Sequence, residues 1–497
     1  MSSVASLGRP LESLRLGPGY SALGERFIEL RDPSPLPDPY LIAFNPEVAA
    51  LLDFDPREAQ RPEFLRLVAG NARFGPIPSF AAVYAGHQFG SFVPQLGDGR
   101  AITLGEIENG AGARYEWQLK GAGMTAFSRF GDGRAVLRST IREYLASEAL
   151  HHLGIPTTRA LAIAGSDEPV YRESVETAAV LSRVAPSHVR FGSFEFFHYR
   201  GRFAEVKELA DYTITRFYPE LLDVPEPERY ATLLREIVER TAQLVARWQA
   251  VGFAHGVLNT DNMSVLGLTL DYGPYGFIET YDAHFVCNHS DDAGRYAFDR
   301  QPGIALWNCR ALAAALESLV SKERADEVLT AYEPAYRDAY LTLMRGKLGL
   351  REVRDADAAL IEDLFDVMEA AHADFSTFFR ALSQLSVTST PYDDVVANFF
   401  QNRAQWYEWQ QRYRERLAAE SAGDVARGPA MLRVNPLYVL RNHLAQAAIE
   451  AAQLRDYSEL ERLHAVLRAP FDEQPGCERY ASAPPIGTAA IEVSCSS

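Results

Sequence analysis

Residues 255–274 read HGVLNTDNMSVLGLTLDYGP and combine a short apolar run with polar side chains suited to chemistry. Asp261 and Asn262 stand before the apolar residues, and Asp271 stands after them. We expect a tight hairpin that holds these three oxygen-bearing side chains on turns at its two ends. Such oxygen donors are what a hard cation that carries nucleotide phosphates requires. The stretch therefore points to chemistry on ATP.

The spacing of this stretch aligns with the protein-kinase signature H-R-D-x-x-x-x-N followed by D-F-G. His255 takes the position of the histidine, Asn262 that of the metal-binding asparagine, and 271–273 that of D-F-G. Val257 stands where a kinase has its catalytic aspartate. Either the protein is a kinase without activity, or another group accepts the proton. Asp261 is the only carboxylate close enough in sequence to replace the missing base.

The chain is acidic and long enough to bury a large core. Its 497 residues include 66 acidic and 49 basic side chains, which gives a formal net charge of −17, and 47% of the residues are hydrophobic. This length suits about two to four domains. An acidic surface repels nucleic-acid phosphates and anionic lipid, so we expect neither nucleic acid nor a membrane as a partner. Any ATP site must then be made positive locally.

Cysteine is scarce in this chain. Cys287, Cys309, Cys477 and Cys495 include no CxxC pair that would favour a metal site. We find no secretory leader pattern and no run of about 18 or more apolar residues, and we expect a cytoplasmic protein. Cys495 follows a segment rich in Pro, Gly and Ala, where an exposed thiol would be free to react. An inert tail cysteine is the alternative interpretation.

A glycine-rich segment in the first quarter of the chain is a candidate phosphate site. Gly97 and Gly99 form a Gly-Asp-Gly turn before a strand-like run. Backbone N–H groups in such a turn can approach an anion, and Arg100 adds positive charge. His87 and Gln88, earlier in the same segment, are interpreted as residues that pack the loop.

A lysine and a glutamate follow in an arrangement that kinases also use. A strand-like run ends at Lys120, where a kinase keeps the amine that contacts phosphate. The segment 140–153, TIREYLASEALHHL, has the apolar spacing of an amphipathic helix, and Glu143 falls in its first turn. A carboxylate on that helix can pair with Lys120. Between strand and helix, a loop presents Asp132 and Gly133 on a tight turn.

Arg183 and Arg190 flank the end of a later strand-like run. Guanidinium groups bind phosphate oxygens through two parallel hydrogen bonds, so this pair is a candidate for phosphate contact. Surface solvation is the alternative for each arginine considered alone.

From about residue 205 the pattern becomes helical. Residues 230–250 place apolar side chains on one stripe that leads into His255. A β-rich first part followed by an α-rich second part predicts an α+β fold with two lobes and the nucleotide in the cleft between them. Further helices are expected over 323–345, 356–386, 394–421 and 436–453. The expected divisions are an N-terminal extension that wraps the core (1–75), a kinase-like N-lobe (76–187), a helical C-lobe (188–470) and a C-terminal tail (471–497).

Several longer motifs are spread over most of the chain. They are YAGHQFG (84–90), QLGDGRA (95–101), QLKGAG (118–123), FGDGRA (130–135), HGVLNTDNMS (255–264), LDYGPYGF (270–277), CNHSDDAGRYAFDRQP (287–302), NPLYVLRN (435–442) and the terminal CSS. Together they resemble the motifs of the selenoprotein O family of kinase-like proteins, also called the YdiU family.

The resemblance implies a protein-kinase-like fold and transfer of AMP, rather than phosphate, to Ser, Thr or Tyr hydroxyls of other proteins and of the protein itself. ATP would bind flipped relative to a kinase, and pyrophosphate would leave. A monomer is expected. The implied roles are ATP contact for Gly97, Gly99, Arg100, Lys120, Asp132, Gly133, Arg183, Arg190 and Asp271, pairing with Lys120 for Glu143, Mg²⁺ ligation (with Mn²⁺ as the alternative) for Asn262 and Asp271, and proton acceptance for Asp261.

Two other functions and one redox feature stay open. An ordinary kinase that transfers the γ-phosphate is the first alternative, and Val257 argues against it. A nucleotide-binding pseudokinase without catalysis, regulated by thiol state, is the second. Family members that carry selenocysteine have it near the C-terminus, where this chain has Cys495. A disulfide between Cys495 and Cys287 would tether the tail under oxidation.

Overall fold

The computed structural model describes residues 8–226, 228–421, 423–485, 491 and 493. Within these residues an antiparallel β-sheet is combined with many helices, which confirms the mixed α+β composition predicted from the sequence. Cys495, one of the two cysteines singled out above, lies outside the described residues.

Most strands fall in the first two fifths of the chain. In the described residues they are β1 (Leu16–Gly17), β2 (Ile28–Leu30), β3 (Tyr40–Phe44), β4 (Phe80–Ala82), β5 (Gly86–Gln88), β6 (Ser91–Val93), β7 (Ala101–Glu108), β8 (Arg114–Lys120), β9 (Ala135–Val136), β10 (Arg159–Tyr171), β11 (Val175–Ala185), β12 (Phe253–Ala254) and β13 (Gly276–Phe277).

One sheet places Lys120 between two neighbouring strands. Its order is β2-β4-β7-β8-β11-β10-β3, with β1 added on β7 and β9 added on β11, and all of these pairs are antiparallel. Lys120 lies opposite Ala101 of β7 on one side and Leu181 of β11 on the other. A residue paired on both sides has a well-fixed backbone, so its amine is delivered to a defined position.

Helices cover both faces of this sheet, which explains why its central strands are buried along most of their length. On one face Leu52 and Phe64, from the N-terminal segment, pack with Trp117 of β8. On the other face Ile141 and Leu145, from the helix after β9, pack in the cluster that also contains Leu181. The N-terminal segment also supplies β2 and β3, the two outermost strands of the sheet.

Helices make up most of the second half of the chain. Among the described residues, none is both long and apolar enough to cross a membrane. The helices are α1 (Pro46–Leu51), α2 (Pro62–Val68), α3 (Leu137–His152), α4 (Phe191–His198), α5 (Phe203–Phe217), α6 (Glu228–Val251), α7 (Gln301–Ala315), α8 (Lys322–Leu329), α9 (Tyr332–Leu348), α10 (Asp357–Ala371), α11 (Phe375–Leu382), α12 (Asp393–Ala397), α13 (Arg403–Ala418), α14 (Asp424–Leu432), α15 (Asn442–Gln453) and α16 (Ser458–Leu467).

The longest helix agrees with its sequence prediction, whereas the later ones are shorter than predicted. α6 extends the predicted span 230–250 by a few residues. The span 323–345 is divided into α8 and α9, and Pro334 in the first turn of α9 has no N–H with which a continuous helix would be hydrogen-bonded. The span 356–386 is interrupted at His372, which adopts the left-handed conformation at the end of α10.

Candidate active site

The loop after α6 is held to the rest of the site by its histidine. α6 leads into β12, and β12 pairs with β13 so that Phe253 lies opposite Phe277. His255 then donates from Nε2 to the carbonyl oxygen of Leu270, 3.1 Å away. Burial lowers the pKa of His255 to about 4 and keeps its ring neutral. This histidine therefore ties the beginning of the loop to the residue before Asp271.

Gly256 stands where the kinase signature has an arginine. Its φ of +81° lies in the left-handed region, and a Cβ atom there would come within 2.3 Å of the carbonyl oxygen of Pro274. No side chain fits this position without moving the backbone of Pro274. The departure from the kinase pattern at this residue thus has a steric cause.

The hairpin expected between Asp261 and Asp271 is smaller than predicted. Only Met263 and Thr269 pair as strand residues, in an isolated antiparallel bridge. Trp248 of α6 donates from Nε1 to Oγ1 of Thr269 over 3.0 Å. The segment therefore packs as a turn against α6 instead of forming a two-stranded ribbon.

Asn262 is oriented by a backbone contact inside the loop. It ends the short 3₁₀ turn Thr260–Asn262. Its amide nitrogen Nδ2 donates to the carbonyl oxygen of Val257 over 3.0 Å. Because the nitrogen is engaged, the amide oxygen is the atom that remains available for a ligand.

Three cations meet at Asp271. Nζ of Lys120 lies 3.1 Å and Nη1 of Arg183 lies 2.6 Å from Oδ1, while Nη1 of Arg190 contacts Oδ2. Asp271 has a φ of +54°, a conformation that costs a non-glycine residue about 1 kcal/mol and that is concentrated at functional sites. The backbone is thus held in an unfavourable conformation where the charges converge.

Glu143 forms ion pairs with two of these cations and does not itself line the cavity described below. Its Oε2 lies 2.6 Å from Nζ of Lys120, and its Oε1 lies 2.9 Å from Nη1 of Arg183. Since α3 begins at Leu137, directly after β9, Glu143 lies in the second turn of the helix and not in the first. One carboxylate on α3 therefore fixes side chains from two different strands.

The carboxyl groups of Asp271 and Asp261 differ in their proton affinity. Burial acts to raise the pKa of Asp271, but Arg183, Arg190 and Lys120 outweigh it and hold this pKa well below its ordinary value. In Asp261, burial prevails and raises the pKa to about 7, although Arg190 acts against it. The site thus keeps Asp271 ionised, whereas the carboxyl group of Asp261 can gain or lose a proton near neutral pH.

Almost all of the residues selected from the sequence line one cavity of about 660 Å³. This volume is typical of small-molecule sites. Glu143 does not line the cavity but stands behind Lys120, and Cys287 lies outside it. The selected residues that do line it are Gly97, Gly99, Arg100, Lys120, Asp132, Gly133, Arg183, Arg190, Asp261, Asn262 and Asp271.

The buried donors of this cavity fit a triphosphate with its metal ion. Arg190 is 1% exposed, and its Nη2 has no hydrogen-bond partner among the described residues. An unpaired buried guanidinium nitrogen beside a cavity suits a phosphate oxygen. The carboxylate of Asp271 and the free amide oxygen of Asn262 are hard oxygen donors of the kind that Mg²⁺ or Mn²⁺ accepts. The residues present therefore fit both groups.

Some residues of the cavity were not found by sequence reasoning. Arg172 binds Asp132 with both Nη atoms, at 2.8 and 2.9 Å, so the carboxylate of Asp132 is already paired. Arg172 lies in the β10–β11 connection, and no motif marks it. Gln88, interpreted as a loop-packing residue, donates from Nε2 to Oδ2 of Asp261 over 3.2 Å. Only its position in YAGHQFG could have marked Gln88.

Buried cations that meet carboxylates and an amide oxygen around one cavity define a site of the kind that transfers groups from a nucleoside triphosphate. Comparison with known proteins agrees with this class. Residues 10–468 match the family described as protein adenylyltransferase SelO. The chain belongs to this family.

Curated relatives are similar over nearly their whole length. The chain is 54% identical over 487 residues to protein nucleotidyltransferase YdiU of Myxococcus xanthus, which covers 98% of this chain and 99% of that protein. It is 52% identical over 488 residues to the protein of the same name from Thiobacillus denitrificans, with the same coverage. The family membership implies a nucleotide substrate.

Proposed function

We propose that the protein transfers AMP from ATP to Ser, Thr or Tyr hydroxyls of proteins, including itself, and releases pyrophosphate. One observation carries this proposal. Arg190, which contacts Asp271 through Nη1, also donates to the backbone carbonyl oxygen of Asp261 over 2.7 Å. One of the cations that suit a leaving group is thus hydrogen-bonded to the backbone of the residue whose carboxyl group stands in for the base missing at Val257.

Burial of the cations supports the proposed nucleotide orientation. Arg183 and Arg190 are 2% and 1% exposed, so they lie at the inner end of the cavity and suit the terminal phosphates. The α-phosphate then faces the hydroxyl that approaches Asp261. This is the flipped orientation, in which the end of ATP that a kinase transfers is retained by the protein.

In the proposed reaction, one residue of the site accepts a proton and others stabilise the leaving group. The hydroxyl oxygen forms a bond to the α-phosphorus while its proton passes to Asp261. The bond from the α-phosphorus to the bridging oxygen breaks, and its electron pair leaves with pyrophosphate. Lys120, Arg183 and Arg190 offset the negative charge that develops on the leaving group.

Asn262 and Asp271 would hold the divalent ion, Mg²⁺ or Mn²⁺. When bound, this ion supplies positive charge that polarises the phosphate under attack. Asp271 is kept ionised by its three cations, as a metal ligand must be. The turn Thr260–Asn262 sets the amide oxygen of Asn262 beside the same cavity.

We further propose that the sheet and helices form a protein-kinase-like fold with two lobes. Residues 76–187 would be the N-lobe, 188–470 the C-lobe, 1–75 an extension and 471–497 a tail. The concentration of the sheet before residue 186 and of the helices after residue 190 supports this division.

The test is to incubate the protein and Mg²⁺ with ATP labelled on either the α- or the γ-phosphate, and to measure which label becomes attached to protein. Label from the α-phosphate alone is expected, and it should disappear when a chelator removes the metal. Label from the γ-phosphate would mean an ordinary kinase. Neither label, with ATP binding still measurable by calorimetry, would favour the non-catalytic alternative.

A further inference from the structure

We propose that Gln88 is a positioning residue that fixes the carboxylate of Asp261 for proton transfer. This inference rests on the proposed function, in which Asp261 accepts the proton of the incoming hydroxyl. Gln88 belongs to the hairpin formed by β5 and β6, in the first fifth of the chain, whereas Asp261 follows more than 170 residues later. Only the fold brings the two side chains together.

The two oxygens of Asp261 have different surroundings. Oδ1 is buried and has no hydrogen-bond partner among the described residues. It lies against Gly86, where a Cβ atom would come within 2.6 Å of it. Oδ2 is therefore the oxygen left for an incoming hydroxyl, and Oδ2 is the atom that Gln88 holds at 3.2 Å.

The backbone of the hairpin is joined to the same loop on both sides of Gln88. The backbone N–H of His87 donates to Oγ1 of Thr260 over 2.7 Å. The backbone N–H of Phe89 lies 3.3 Å from Oδ1 of Asn259. Three successive hairpin residues thus contact three successive loop residues, so the backbone from which the Gln88 side chain extends is held in place by its neighbours.

A buried carboxylate anchors this arrangement to α4. Glu195 is 0% exposed, and its Oε1 lies 2.5 Å from Nδ1 of His87. Its Oε2 accepts a hydrogen bond from the hydroxyl group of Thr260. Because one carboxylate holds a residue of the hairpin and a residue of the loop, the two segments are fixed in register.

A neutral amide suits this position. It donates a hydrogen bond that orients Oδ2, yet it brings no positive charge that would form an ion pair with Asp261 and lower its basicity. Without this donor, the carboxylate can rotate about its last torsion and lose alignment with the hydroxyl. Misplacement of a reacting group by about 1 Å can cost on the order of 100-fold in rate.

The variants Gln88→Met and Gln88→Ala test this inference in the full-length protein. Methionine keeps the length of the side chain and removes the donor, and alanine removes the side chain but keeps the backbone pairing of β5. We expect both to lower kcat for transfer of α-labelled AMP by about 10- to 100-fold. The KM for ATP and the Kd for ATP, measured by calorimetry, should stay within about twofold of the unaltered protein.

Ser91→Ala is the matched control, because Ser91 lies opposite Gln88 in the same hairpin and its side chain is exposed. Thermal melting of all variants reports whether the hairpin still folds. Unchanged kcat in both Gln88 variants would overturn the inference. The inference would also be overturned if weakened ATP binding or a lowered melting temperature accounted for the loss of kcat. Gln88 would then contribute to nucleotide binding or to folding stability instead of orienting Asp261. Absence of α-label transfer in the unaltered protein would refute the proposed function itself.

Discussion

At the scale of single residues, Asp261 is the group on which the proposed chemistry depends most. It lines the cavity, is 7% exposed, and is the carboxyl nearest in sequence to the valine that replaces the kinase base. We expect Asp261→Ala to abolish AMP transfer, by at least about 100-fold, because a general base contributes on that scale. ATP binding should persist, since Arg183, Arg190 and Lys120 remain.

Labelled transfer and calorimetry measure these two properties separately. Asp261→Asn is the matched variant, because it keeps the size of the side chain and removes the basic oxygen. Full transfer activity in either variant would refute the assignment of Asp261 as the proton acceptor.

Lys347 is a buried amine that takes no part in the proposed reaction. It is 4% exposed and forms no ion pair with any described residue. Its Nζ lies 4.2 Å from the ring centre of Phe379 and 5.5 Å from that of Phe375. Burial lowers the pKa of Lys347 to about 7, so its charged form is disfavoured in the folded protein.

This pKa predicts how stability depends on pH. In the unfolded chain the pKa is about 10.4, so between about pH 7 and 10.4 the unfolded state binds a proton that the folded state does not. The contribution of Lys347 to the free energy of unfolding therefore becomes more unfavourable as pH falls from about 10.4 to 7, and it is constant below that. We expect Lys347→Met to stabilise the protein at pH 7 by several kcal/mol, on the order of 4.

Chemical denaturation at pH 7 and at pH 9.5 checks this prediction. The advantage of the methionine variant should be smaller at the higher pH. Lys322→Met, at an exposed position at the start of α8, is the control and should change stability little at either pH. A Lys347→Met protein less stable than the original at pH 7 would contradict the prediction.

At the scale of elements, the site depends on the junction of β8, α3 and the loop that carries Asp271. Lys120 ends β8 and meets Asp271 and Glu143 at the same point. We expect Lys120→Ala and Asp271→Ala each to remove transfer, the first through lost phosphate contact and the second through lost metal ligation. The rate of α-label transfer at saturating ATP measures this loss.

Arg114→Ala provides a control on the same strand. Arg114 begins β8, and its side chain is 47% exposed and pairs with Glu108, away from the cavity. The Arg114→Ala variant should transfer AMP at the rate of the unaltered protein. An unchanged rate with Lys120→Ala or Asp271→Ala would place the reaction elsewhere in the molecule.

At the scale of the whole molecule, segments early and late in the described chain contact parts of it that are distant in sequence. Glu47 of α1 pairs with Arg468, which follows α16, so the N-terminal segment is tied to the last helix. Val493 pairs with Asn288, and the backbone N–H of His289 donates to the carbonyl oxygen of Val493 over 2.8 Å. Val493 thus lies beside the loop that follows the candidate active site.

This contact bears on the predicted disulfide. Asn288 is adjacent to Cys287, and Val493 is two residues before Cys495. Cys495 itself lies outside the described residues, and its disulfide with Cys287 stays a prediction. We expect oxidised glutathione to produce a disulfide between them that tethers the tail.

Peptide mapping without reduction would detect the linked peptides after oxidation. In Cys287→Ser the peptide that contains Cys495 should stay unlinked to residue 287. Free Cys495 in the oxidised, unaltered protein would contradict the prediction.

The chemical groups of the candidate site can be predicted from the sequence alone. Local spacing is enough to identify Asp261, Asn262 and Asp271, since they lie within one short segment and match a known signature. Lys120 was also identified, because a strand ending in lysine before an amphipathic helix is a local pattern.

Only the tertiary structure decided which residues support these groups. Gln88 reaches Asp261, Glu195 joins the hairpin to the loop, and Arg172 neutralises Asp132. These contacts join segments that are far apart in the chain, and no periodicity or local motif records such pairs. Burial also had to be seen in the fold, because the pKa values of Asp261 and Lys347 are set by neighbours and by exclusion of water. The residue types present follow from the sequence, whereas their proton affinities and orientations follow from what packs around them.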